Sequence, residues 1–120
     1  MTDVSLDELR ELLTTDDVVV VDVRSPAEHA GLVVAPCDPR PGRIPGSVGL
    51  PLDVLFGLDP AGVAERLGRP DAVRVVAYCH SGQRSAMAVE VLAGHGYDAR
   101  NYVGSWHEWS RDEALPAETG

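Results

Sequence analysis

Only two cysteines, Cys37 and Cys79, occur in the 120 residues. They lie far apart, and no second pair accompanies them, so nothing in the spacing suggests a zinc site or a disulfide framework. Basic side chains are scarce as well. Ten Lys and Arg face nineteen Asp and Glu, leaving a net charge of −9. Nucleic acid and anionic membrane surfaces both reward a basic face, so neither is an expected partner. No apolar run approaches the length needed to cross a bilayer. The chain opens on acidic residues, Asp3, Asp7 and Glu8, without the basic start and apolar stretch of a secretory signal. A cytoplasmic location is expected. Internal repeats and low-complexity tracts are also missing.

What remains is enough for one core. Hydrophobic residues make up 44% of the chain, and its length suits a single domain over residues 1–120. Ser5 and Glu8 form a capping box. Val4 and Leu9 flank it as a staple, and Leu6, Leu9, Leu12 and Leu13 make an apolar helical stripe. Val4 ends a short edge strand. Val18 to Val21 is a β-branched run of the kind buried on both faces of a parallel sheet. Ser25-Pro26-Ala27-Glu28 then starts a second helix.

Residues 31–46 are rich in proline and glycine and read as a loop. A short strand is expected over Ser47–Leu50 and a helical stretch over Pro51–Leu58. Another helix runs from Asp59-Pro60 to about Leu67. Val73–Tyr78 is a strand, Arg84 to about Ala93 a helix, and Ala99–Val103 a last strand. Ser105 and Glu108 suggest a third capping box, and the tail from Asp112 is expected to be irregular. Alternating strands and helices give an α/β fold: a three-layer α/β/α arrangement around a central parallel sheet of about five strands. Ligands bind such sheets beyond the carboxyl ends of the strands.

Cys79 sits at one of those ends. Cys79-His80-Ser81-Gly82-Gln83-Arg84-Ser85 reads as a tight loop entering a helix. Free amides of such a loop, with the positive end of the helix, favour a thiolate. Comparable cysteines fall from a pKa of about 8.5 to roughly 3.5–7.5. Gly82 suits positive φ. Four residues separate Cys79 from Arg84, whose guanidinium can then fork onto an oxyanion. Ser81 and Ser85 are candidate hydroxyl donors. His80 is placed to tune charge or touch substrate, and is not assigned as a base.

This loop resembles the active-site loop of rhodanese-fold sulfurtransferases. Three further segments resemble that family: Val19 to Glu28, the run Gly42-Arg43-Ile44-Pro45-Gly46-Ser47 with Leu50-Pro51, and the stretch from Gly96-Tyr97 to Trp109. The resemblance implies a ping-pong reaction. Cys79 takes sulfane sulfur from a small anionic donor, thiosulfate or 3-mercaptopyruvate, as a persulfide. It then passes the sulfur to cyanide, a small thiol or a protein thiol. No metal or organic cofactor is implied. Phosphatases and arsenate reductases of the same fold resemble this loop less, since theirs is one residue longer. A persulfide carrier, or a redox-sensing module using Cys37 and Cys79, is the competing reading.

Two departures stand out. Arg43 replaces the family's usual histidine, and an insert at about residues 31–41 carries Cys37. Arg40 and Arg43 are expected to lend positive charge to the site, and Cys37 to act as a second thiol. Asp22 and Arg24 are supporting residues that hold loops. Trp106 and Trp109 are packing residues, with Trp106 a candidate pocket wall. His29, His95 and His107 are expected to be surface or capping residues.

Overall fold

A computed structural model describes residues 3–120 of the chain. Five parallel strands form one sheet in the order β1-β5-β4-β2-β3. They are β1 (Asp3–Val4), β2 (Val18–Asp22), β3 (Val48–Gly49), β4 (Arg74–Tyr78) and β5 (Asp98–Tyr102). Six helices connect and cover them: α1 (Leu6–Leu12), α2 (Pro26–Ala30), α3 (Leu52–Phe56), α4 (Pro60–Leu67), α5 (Gln83–Gly94) and α6 (Ser105–Trp109). This is the expected α/β architecture.

The two-residue period of the strands decides which face each side chain meets. On one face, Val21 and Val23 join Val75, Ala77 and Cys79 beneath Leu55, Val63, Ala88 and Leu92 of α3, α4 and α5. On the other, Val20, Val76 and Tyr78 pack with Leu9, Trp106 and Trp109 of α1 and α6. β2 and β4 pair along their whole length, Val18 opposite Arg74 and Asp22 opposite Tyr78. Cys79 therefore follows the end of a central strand with its sulfur on the α5 side.

Local signals placed most element starts. Both predicted capping boxes, Ser5 with Glu8 and Ser25 with Glu28, are formed. The third is not. Gly104 is the N-cap of α6 and no side chain caps it, because the Ser105 hydroxyl turns back toward the Cys79 loop. Leu13 is also displaced from the expected stripe. It is the C-cap of α1 and 39% exposed.

The tail is irregular, as expected, and it is tied to the rest of the chain. Arg43 and Glu118 exchange backbone hydrogen bonds in an antiparallel bridge. Arg40 donates to the carbonyls of Trp109, Ser110, Asp112 and Leu115. Among the described residues, no helix is long and apolar enough to cross a membrane.

Candidate active site

Beyond Tyr78 the chain turns through four residues into α5. The turn depends on Gly82, whose φ is 95°. A Cβ there would lie 2.8 Å from the Val103 carbonyl oxygen, so both conformation and space require glycine. This geometry aims the Gly82 N–H at Cys79 Sγ, 3.1 Å away. Ser85 Oγ lies 3.3 Å from the same sulfur. Burial pushes the Cys79 thiol up, but the Ser85 hydroxyl and the amides of Ser85, Gly82 and Ser81 outweigh it and leave the pKa below the ordinary value. Ser81 thus contributes its backbone, while its side chain, like that of Gln83, is exposed.

Two residues overlooked in the sequence hold this loop. Asn101 on β5 accepts the Ser85 hydroxyl proton at 2.6 Å and donates to the Gly82 carbonyl at 3.1 Å. Ser105 accepts the Cys79 N–H at 3.1 Å. It does so at φ +54°, a conformation that non-glycine residues seldom adopt. The first turn of α6 adds two backbone bonds, from Trp106 N–H to the Cys79 carbonyl and from His107 N–H to the His80 carbonyl. Asn101 carried little signal, since its strand also holds the charged Asp98 and Arg100. Ser105 carried a misleading one, since its spacing to Glu108 fitted a helix cap.

Arg84 stands at the start of α5 and lines a cavity of about 290 Å³ with Val23, Ser25, Pro51, Leu52, Asp53 and Phe56. Its guanidinium forks onto Glu28, with N–O distances of 3.0 and 3.3 Å. Glu28 is the capping-box acid of α2, so one carboxylate caps a helix and aims an arginine. Arginine at a helix start opposes the dipole; Glu28 offsets that here.

Asp22 and Arg24 form a buried pair, 2.7 Å apart at closest. Asp22 also meets His29 Nδ1 at 2.8 Å and accepts from the Tyr78 hydroxyl at 3.1 Å. Burial alone would raise the Asp22 carboxyl; the His29 and Arg24 contacts more than reverse it. Arg24 reaches on to the Gly42 carbonyl and lies over the rings of Tyr78 and Trp106. These residues join strand ends to loops, as expected, and His29 is part of that joint rather than a free surface residue. Trp106 is 1% exposed and donates to the Arg40 carbonyl; it is core, and not a pocket wall.

Arg40 and Arg43 do not lend charge to the sulfur. Arg40 is engaged by carbonyls at the end of α6 and in the tail, and Arg43 donates to Glu118 and to the carbonyls of His29 and Gly120. Carbonyls freed by the irregular tail compete for these guanidiniums, which spacing along the chain does not reveal. The loop after α2 instead brings Cys37 beside the Cys79 loop, with its sulfur 3.6 Å from His80 Nε2. His80 turns toward Asp38. Both cysteines are free thiols, Cys37 exposed and Cys79 buried.

A strand-end cysteine in a tight loop, beyond the carboxyl ends of a parallel α/β sheet, defines the class of domain. The chain belongs to the rhodanese-like domain family, whose model matches residues 5–112. It is 34% identical over 118 residues to the "Putative thiosulfate sulfurtransferase" of Mycolicibacterium smegmatis, covering 84% of this chain and 42% of that one. With the "Thiosulfate sulfurtransferase" of Pseudomonas aeruginosa it shares 31% identity over 121 residues, covering 92% and 43%. A solved structure described as "Probable Thiosulfate Sulfurtransferase" superposes with a TM-score of 0.81 at 46% identity, over 98% of this chain and 47% of that one. The chain thus spans less than half the length of these relatives.

Proposed function

We propose that the protein is a sulfurtransferase that carries sulfane sulfur on Cys79. The observation that carries this reading is the pair of polar contacts on Sγ, the Gly82 N–H donated at 3.1 Å and the Ser85 hydroxyl oxygen at 3.3 Å. They favour an ionised sulfur, which is the nucleophile the chemistry needs. The Cys79 thiolate forms an S–S bond to the outer sulfur of thiosulfate. The donor's own S–S bond breaks, and its electron pair leaves on sulfite. Cyanide, a small thiol or a protein thiol then takes the outer sulfur, returning the electron pair to Cys79. Loop amides stabilise the sulfur anion at both stages without a proton being moved. His80 and Gln83 flank the loop, and Arg84 is the candidate anion contact.

Cys79 is 1% exposed. A donor reaches it only when the loop or the adjoining α3 segment moves, so transfer includes an opening step. The test is thiocyanate formation from thiosulfate and cyanide. Turnover that vanishes in Cys79→Ser supports the reading; turnover that survives refutes it.

The Arg84–Glu28 pair favours a second reading, a persulfide relay. An arginine already forked onto a carboxylate offers less to a small dianion, and the chain's charge of −9 repels one. Faster loading from a cysteine desulfurase persulfide than from thiosulfate would select the relay. Two free thiols suit a reducing compartment, in keeping with a cytoplasmic site of action.

A further inference from the structure

Four ligand-type side chains meet beside the Cys79 loop, although they come from three separate parts of the chain. Cys37 and Asp38 belong to the insert after α2, His80 to the loop itself, and His107 to α6. One ligand atom from each lies within 4.8 Å of all the others. Cys37 Sγ is 3.6 Å from His80 Nε2 and 3.8 Å from Asp38 Oδ1. His80 Nε2 is 3.0 Å from Asp38 Oδ2, and His107 Nδ1 is 3.2 Å from Asp38 Oδ1. A tetrahedral ion with bonds of about 2.0–2.3 Å sets its ligand atoms roughly 3.3–3.8 Å apart. The cluster therefore needs only small adjustments to close around one.

Asp38 supplies an independent observation. Its side chain is 1% exposed, and a buried carboxylate is costly unless its charge is met. Oδ2 is buried and receives no hydrogen bond among the described residues, although His80 Nε2 lies 3.0 Å away. The nitrogen faces the oxygen without aiming an N–H at it, as two ligands of one ion would. Arg111 meets part of the charge, with Nη1 3.6 Å from Oδ1, and donates from Nη2 to the Cys37 carbonyl. That contact leaves Oδ2, the Cys37 sulfur and both rings facing one another.

We propose that Cys37, Asp38, His80 and His107 form a binding site for a divalent transition metal of the zinc class. One thiolate, two imidazoles and one carboxylate match the ligand preference of Zn²⁺ and exclude the all-oxygen preference of Mg²⁺ and Ca²⁺. On binding, Cys37 releases its thiol proton to solvent and coordinates as the thiolate. Four protein ligands make a closed, structural type of site. It ties the insert to the residue next to Cys79 and to the helix that braces the loop.

The test is titration of the reduced, metal-free chain with Zn²⁺ against a chromophoric chelator, with Co²⁺ as a spectroscopic probe. One ion per chain is expected, with a thiolate-to-cobalt charge-transfer band. Cys37→Ser should abolish the band, and Cys37→Ser and His107→Ala should each weaken Zn²⁺ at least tenfold while circular dichroism stays native. Cys79→Ser should keep both ion and band. The proposal is overturned if the wild-type chain does not compete with the chelator, or if affinity is indifferent to Cys37 and His107. It is equally overturned if the band depends on Cys79 rather than Cys37. These readouts do not involve sulfur transfer, so either proposal can fail alone.

Discussion

Arg84 and Glu28 face each other as a fork and a carboxylate, 3.0 and 3.3 Å apart, at the rim of the cavity beside the Cys79 loop. The arginine is thereby pre-aimed and partly neutralised at once. On the proposed sulfurtransferase reading, an anionic donor shares it. Glu28→Gln removes the charge and keeps an amide able to cap α2. The thiosulfate KM should fall by about two- to fivefold, the scale of a partly exposed charge contact, with little change in kcat. Steady-state kinetics at constant ionic strength checks this; an unchanged KM removes Arg84 from donor binding.

Ionisation of Cys79 offers a second check. Its thiol titrates below the ordinary value despite burial, because Ser85 and three amides favour the anion. Thiolate absorbance, taken as the difference between wild type and Cys79→Ser, should persist below the ordinary cysteine midpoint of about 8.5. Ser85→Ala removes the hydroxyl contact that lowers the thiol pKa, so the midpoint should rise, and the sulfur-accepting rate near neutral pH should drop with it. A midpoint unmoved by Ser85→Ala would show that the amides alone hold the anion.

Gly82→Ala tests the turn. The residue sits at φ 95° with the Val103 carbonyl 2.8 Å from the would-be Cβ. Strain of about 1–2 kcal/mol is expected from the left-handed conformation alone, and the clash adds to it. Chemical denaturation should show at least that loss, and sulfur transfer should fall by more than tenfold as the amide swings off the sulfur.

Arg40→Ala separates two roles. The guanidinium joins four carbonyls, two at the end of α6 and two in the tail, so its loss should destabilise the fold by about 2–3 kcal/mol. Donor KM should stay unchanged, because no part of that network faces the sulfur. A raised KM with unaltered stability would reverse this assignment.

Much of the fold was legible because its signals are local. Ser5 with Glu8 and Ser25 with Glu28 marked helix starts, and β-branched runs marked β2 and β4. The turn beside Cys79 was legible too, since Gly82 is the residue suited to the positive φ found there. What escaped is long-range. Asn101 reaches Ser85 and Gly82 across the sheet, and Glu28 reaches Arg84 from another helix. Cys37, Asp38, His80 and His107 meet only through the path of the insert. Arg40 and Arg43 were misjudged because local charge does not show which acceptors the folded chain leaves free.

The central claim is covalent, and mass spectrometry reads it directly. Brief incubation with thiosulfate or with a cysteine desulfurase persulfide, followed by intact-mass measurement, should show one added sulfur atom per chain. Peptide mapping should place it on Cys79, and Cys79→Ser should remain unloaded. Sulfur found on Cys37 instead, or no added mass with either source, would contradict the account.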